Sequence, residues 1–129
     1  MKFGYTIIYV SDVEQTVSFY ERVFGLSRRF VHESGQYAEL ETGSTALAFA
    51  SDALGEMNLN GNYVKNQAGQ TPPGFEIAFV SDDVFAAYEQ AVSAGAVAVS
   101  GPKTKPWGQT VAYVRDLNGI VVEIASPIG

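Results

Sequence analysis

Few side chains in this sequence can do chemistry, and their types limit which chemistry. Among 129 residues there is no cysteine and a single histidine, His32. Disulfides, thiolate metal sites and cysteine nucleophiles are therefore excluded, and so is a cluster of imidazole ligands within one chain. His32 stands beside Glu33 with no histidine partner, and we assign it no role. Carboxylates and aromatic rings remain. Glu76 in FEIAFV and Glu123 in IVVEIAS are acids inside otherwise apolar runs, where a carboxylate can pass protons or grip a cation. Tyr5 and Tyr9 in YTIIYV, Tyr113 in GQTVAYVR and Trp107 in KPWGQT supply rings suited to stacking on a planar ligand. Arg28 and Arg29 in LSRR could meet an anion, but read as solvated charge on an edge strand. No glycine-rich nucleotide motif follows a strand.

The elements that must position these residues come twice. FGYTIIYV (3–10) is β-branched and aromatic, hence a strand. Asp12 then stands as a helix N-cap with Gln15 three residues on, and Val13, Val17, Tyr20 and Phe24 give one apolar helical face that Gly25 ends. LSRRFVHE, QYAELET and TALAFA are strands separated by Ser-Gly and Thr-Gly turns. Residues 51–73 are polar and rich in Gly, Asn and Pro, and read as a long loop with a conceivable role as a lid. The order then repeats. FEIAFV is a strand, DVFAAYEQAVSAG a helix closed by Gly95, AVAVS a strand, GPKTKP a turn-rich connector and GQTVAYVR a strand. Asn118-Gly119 turns tightly into the last strand, IVVEIAS.

Aligning the halves is ambiguous by one residue. The triplet VSD at 10–12 and 80–82 sets an offset of 70, whereas Asp12-Val13 against Asp83-Val84 sets 71. Side-chain alternation decides. Phe75, Ile77 and Phe79 should face their helix, leaving Glu76 on the opposite side. Ile8 and Val10 should do likewise, leaving Tyr5, Ile7 and Tyr9 opposite. Tyr5 then corresponds to Glu76, at 71. Neither half alone could close a core, since each leaves one sheet face bare.

Bulk properties narrow the partners. Hydrophobic residues at 47% and charged ones at 17% describe a globular domain. A net charge of -6 argues against nucleic acid and mildly favours cationic or neutral partners. No apolar run approaches the ~20 residues of a membrane helix. Met-Lys-Phe-Gly-Tyr leads straight into a strand, so we expect no signal peptide, no membrane association and a cytoplasmic protein.

YTIIYVSDVEQTVSFYERVFGL, EIAFVSDDVFAA and WGQTVAYVRDLNGIVVEI together resemble the vicinal oxygen chelate superfamily. It includes glyoxalase I, bleomycin-resistance proteins, extradiol dioxygenases and methylmalonyl-CoA epimerase. The resemblance covers essentially the whole chain. It implies an α+β fold in which two βαβββ modules, about 3–50 and 74–126, pair into a partly open, mixed-sheet barrel with helices outside, usually in a homodimer. Enzymes of this kind hold a divalent metal with one residue from each of four strands. Those positions fall here on Tyr5, about Ala48, Glu76 and Glu123, the last following the Asp116-Leu117-Asn118-Gly119 turn. Two of the four lack a usable donor, because a phenol is a poor ligand unless deprotonated.

If that geometry holds, Glu76 and Glu123 face one another and cannot both ionise cheaply. The expectation is a metal-free binding protein of the bleomycin-resistance type. It would sequester an aromatic ligand, such as a cationic antibiotic, with Tyr5, Tyr9, Glu76, Trp107, Tyr113 and Glu123 lining the site and no cofactor. The alternative is a lyase or isomerase of the glyoxalase or epimerase type, with Glu76 and Glu123 as acid/base groups or weak ligands for a divalent metal.

Overall fold

The computed structural model describes residues 1–128. Two compact units make up the chain, Met1–Asn66 and a second from Gln67 onward, and each is described by itself.

The first unit opens with β1 (Tyr5–Val10) and α1 (Val13–Phe24). The Asp12 carboxylate accepts from Gln15 N–H at 2.9 Å, and Gly25, in the left-handed region at φ 70°, closes the helix. Then come β2 (Arg28–Val31), β3 (Tyr37–Leu40) and β4 (Ala46–Ser51). The sheet order is β1-β4-β3-β2, with β1 parallel to β4 and the other pairs antiparallel. α1 covers one face of this sheet. Val13, Val17 and Tyr20 are buried on it as the spacing predicts, whereas Phe19 and Val23 are more deeply buried than Phe24. Tyr20 packs on Phe49 of β4 with ring centroids 4.9 Å apart, and both are fully covered. Burying a ring of that size is worth about 2 to 3 kcal/mol.

Residues 52–59, expected to be loop, form a helix, α2 (Asp52–Leu59). The Ser51 hydroxyl caps it by accepting from Leu54 N–H at 3.2 Å, and Asn60 ends it in the left-handed region. Its anchor is aromatic. The rings of Tyr9 and Tyr63 lie 5.3 Å apart over Gly55, where an added Cβ would sit 2.7 Å from the Tyr63 hydroxyl.

The second unit repeats the order with β5 (Ile77–Val80), α3 (Val84–Ser93), β6 (Val97–Thr104), β7 (Thr110–Arg115) and β8 (Val121–Ala125). Its sheet runs β5-β8-β7-β6, again with one parallel pair, β5 with β8. The Asp83 carboxylate caps α3 by accepting from Ala86 N–H at 3.0 Å. Asp12 and Asp83 therefore play the same part, which favours the offset of 71. Gly101–Thr104, expected to be connector, continues β6. Pro102 is tolerated there because β6 is an edge strand with register shifts against β7. Ala112, Val114, Val122 and Ile124 are buried, and α3 packs on β6, β7 and β8. No helix among the described residues is long and apolar enough to cross a membrane.

Candidate functional site

Strand pairing fixes which side chains share the sheet face away from each helix. In the second unit Glu123 is the cross-strand partner of Tyr113 on β7 and of Ala78 on β5. Side chains alternate, so Glu76, two residues before Ala78, falls on that same side. The Tyr113 hydroxyl donates to Glu123 Oε1 at 2.8 Å. Glu76 lies near the Glu123 carboxylate, and burial, followed by the influence of that neighbour, raises its pKa above the ordinary carboxylate value. Much of Glu76 remains open to water, which screens the effect. The Tyr113 phenol is pushed up to about 12, first by its bond to Glu123, then by burial and by the charge of both acids. No Lys or Arg side chain pairs with Glu76 or Glu123 among the described residues.

The helix-free face of the first unit is built differently. Tyr5, Ile7 and Tyr9 of β1 lie beside Ala46, Ala48 and Ala50 of β4, and Ala48 lies beside Glu39 of β3. Glu39 is buried. It accepts from Arg29 Nη1 at 3.1 Å and from the Tyr37 hydroxyl at 2.8 Å. Arg29 also reaches Glu41 and the Gly43 carbonyl. Both units thus carry a tyrosine–glutamate pair on this face. In the first a guanidinium neutralises it; in the second a further acid faces it.

The structure brings Glu76, Tyr113 and Glu123 together. Trp107 lies apart, on the β6–β7 loop, 65% exposed, with its indole N–H on Gln109 Oε1 at 2.9 Å and no ring contact among the described residues. Tyr5 is exposed at the start of β1. Tyr9 spends its ring on Tyr63, and its hydroxyl accepts from Asn58 at 3.3 Å, so much of its surface goes to holding α2. Glu39 and Tyr37 were not singled out from the sequence, although the alternation Tyr37-Ala38-Glu39-Leu40 carries the signal. Arg28 and Arg29, read as solvated, are both ion-paired, Arg28 to Glu14 and Glu21.

The four implied metal positions are divided between the units, Tyr5 and Ala48 in the first and Glu76 and Glu123 in the second. Ala48 brings no donor and is fully covered, and the nearby Glu39 is occupied by a cation of the protein's own. Among the described residues no group of three or more histidine, cysteine or acidic side chains converges as a metal site.

No curated protein matches the sequence. Solved structures match the fold at low identity. A glyoxalase-related enzyme from Fulvimarina pelagi superposes with a TM-score of 0.83 at 21% identity, covering 98% of this chain and 88% of that one. A glyoxalase/bleomycin resistance protein/dioxygenase family enzyme from Burkholderia phytofirmans PsJN gives 0.84 at 21%, covering 98% of both. TioX from Micromonospora sp. ML1 gives 0.73 at 22%, also covering 98% of both. A family model matches residues 2–124. With two β-α-β-β-β units in order and that match over nearly its whole length, the chain belongs to the Glyoxalase/Bleomycin resistance protein/Dioxygenase superfamily.

Proposed function

We propose that this protein binds a small aromatic cation without a metal, as a binder of the bleomycin-resistance type. One observation carries the reading: Glu76 and Glu123 lie near one another and, among the described residues, ion-pair with no cationic side chain, while the corresponding face of the first unit compensates its Glu39 with Arg29. A partly covered acid pair costs free energy when both members ionise, and a bound cation removes that cost. Tyr113, bonded to Glu123 through its hydroxyl, brings a ring beside the acids whose face suits an aromatic cation. Trp107, in the same unit as the acid pair, remains a proposed ring contact for the ligand, and the protein is proposed to act as a cytoplasmic homodimer. The test is calorimetric titration of chelator-treated protein with planar aromatic cations and with neutral analogues of the same shape. Binding of the cations in the micromolar range, weakened at least tenfold by Glu123→Gln, supports the proposal. Equal affinity for the neutral analogues refutes it.

One feature favours a second reading, a lyase or isomerase. A carboxyl that holds its proton more tightly than an ordinary carboxylate, as Glu76 does, is suited to proton transfer beside a carbonyl. Stoichiometric divalent metal in purified protein, lost on Glu123→Gln, would favour that reading over the binder.

A further inference from the structure

A second charged feature lies in the same unit as the acid pair and uses none of its residues. A cavity of about 260 Å³ is lined by Ala68, Gly69, Val97, Arg115, Asp116 and Gly119. That is just below the range of pockets for drug-sized ligands, and suits a fragment of a few heavy atoms. Its one cationic side chain is Arg115, the last residue of β7.

No carboxylate among the described residues ion-pairs with Arg115, although Asp116 lines the same cavity. Nε donates to the Gly119 carbonyl at 2.8 Å and Nη2 to the Gln70 carbonyl at 2.6 Å. Both acceptors are neutral. A guanidinium has five N–H donors, so three remain, including both on Nη1. Among the described residues no carboxylate pairs with it, whereas Arg28 and Arg29 each hold two glutamates. Asp116 also lines the cavity, but its Oδ1 accepts from Asn118 and Ile120 N–H at 2.8 and 2.9 Å, so the turn's own amides engage it. The guanidinium is also held in place. It crosses Gly119 so closely that an added Cβ would stand 2.5 Å from Nη2 and 2.7 Å from the Gln67 carbonyl oxygen. A planar donor fork fixed before binding loses little entropy when an oxyanion arrives.

The geometry points to a subsite for a small oxyanion, a carboxylate or phosphate group, held by the free edge of the Arg115 guanidinium in the pocket between the 67–70 turn and the β7–β8 hairpin. Fixing the turn to the hairpin takes two donors, and the anion uses the others. Val97 is the cross-strand partner of Arg115, beside it on the sheet, and also lines the pocket, 59% exposed. Its substituent therefore sets how near a competing charge can come.

The test follows the Arg115 side-chain N–H resonances by NMR, at constant ionic strength, while inorganic phosphate or acetate is added in turn. A saturable shift with a millimolar dissociation constant is expected for at least one anion, and the stronger of the two names the group the pocket takes. Val97→Glu places a carboxylate beside Arg115 without touching its two backbone bonds, and should weaken anion binding at least tenfold with the fold intact by circular dichroism. Arg115→Gln should abolish the shift of neighbouring amides; should that variant fail to fold, Val97→Glu still decides. Absence of saturation for both anions, or anion binding unchanged in Val97→Glu, overturns the proposal.

Discussion

Replacing Tyr113 with phenylalanine isolates one hydrogen bond, because the ring stays and only the hydroxyl leaves. In the native protein that hydroxyl donates to Glu123 Oε1 at 2.8 Å, and both residues are partly covered. A hydrogen bond to a charged acceptor contributes about 1.5 to 3 kcal/mol. The Glu123 oxygen can regain some water, so the lower end applies, about 1.5 kcal/mol. Unfolding entropy of about 2.1 cal/mol/K per residue makes that roughly 5 °C in Tm for a chain of this length. The pH dependence has a definite sign. The Tyr113 phenol titrates at about 12 in the folded protein, against an ordinary value of 10.0. Its contribution is therefore complete below pH 10 and is lost as the pH rises towards 12. Thermal melts of the two proteins should differ by about 5 °C at pH 7, and the gap should narrow between pH 10 and 12. Equal melting temperatures at pH 7, or a gap constant through pH 12, would refute the reasoning.

Three further outcomes follow from the same coordinates. Glu76 holds its proton more tightly folded than unfolded, so wild-type stability falls as the pH rises from about 4.5 through the folded value. Glu76→Gln should thus gain a few tenths of a kcal/mol at pH 7, small because solvent screens the pair, and gain nothing at about pH 4; urea melts at the two pH values check this. Gly119→Ala sets a Cβ against Arg115 and Gln67 at a φ of +84°, and should cost about 1 to 3 kcal/mol, read by the same melts. Asp83→Ala removes the cap of α3 and should cost about 1 kcal/mol, with faster amide exchange confined to the first turn of that helix.

The sequence announces the fold because its signals are local. Asp12 and Asp83 precede apolar periodicity, Gly25 ends it, and Asn118-Gly119 makes the last hairpin. It says less where a partner distant in sequence decides. α2 is short and Gly-containing, and what fixes it is Tyr9, some fifty residues from the Asn58 that donates to it. β6 runs through Gly101 and Pro102 because an edge strand forgives them. The acid pair was legible from alternation together with the family resemblance. The neutralised Glu39 was not, since nothing in QYAELET shows that Arg29 will cross to it from β2. Arg115 is equally opaque: nothing in AYVRDLNG shows that its guanidinium will bond to the Gly119 and Gln70 carbonyls while, among the described residues, no carboxylate ion-pairs with it.

The most direct test of cation binding at the acid pair is to ask whether the ligand displaces a proton. Calorimetric titrations of one planar aromatic cation in two buffers of different ionisation enthalpy, run at a mildly acid pH where Glu76 is partly protonated, count protons released on binding. A positive release that disappears in Glu76→Gln is predicted. Heats that agree between the two buffers in the native protein, with binding intact, would place the ligand elsewhere and contradict the account.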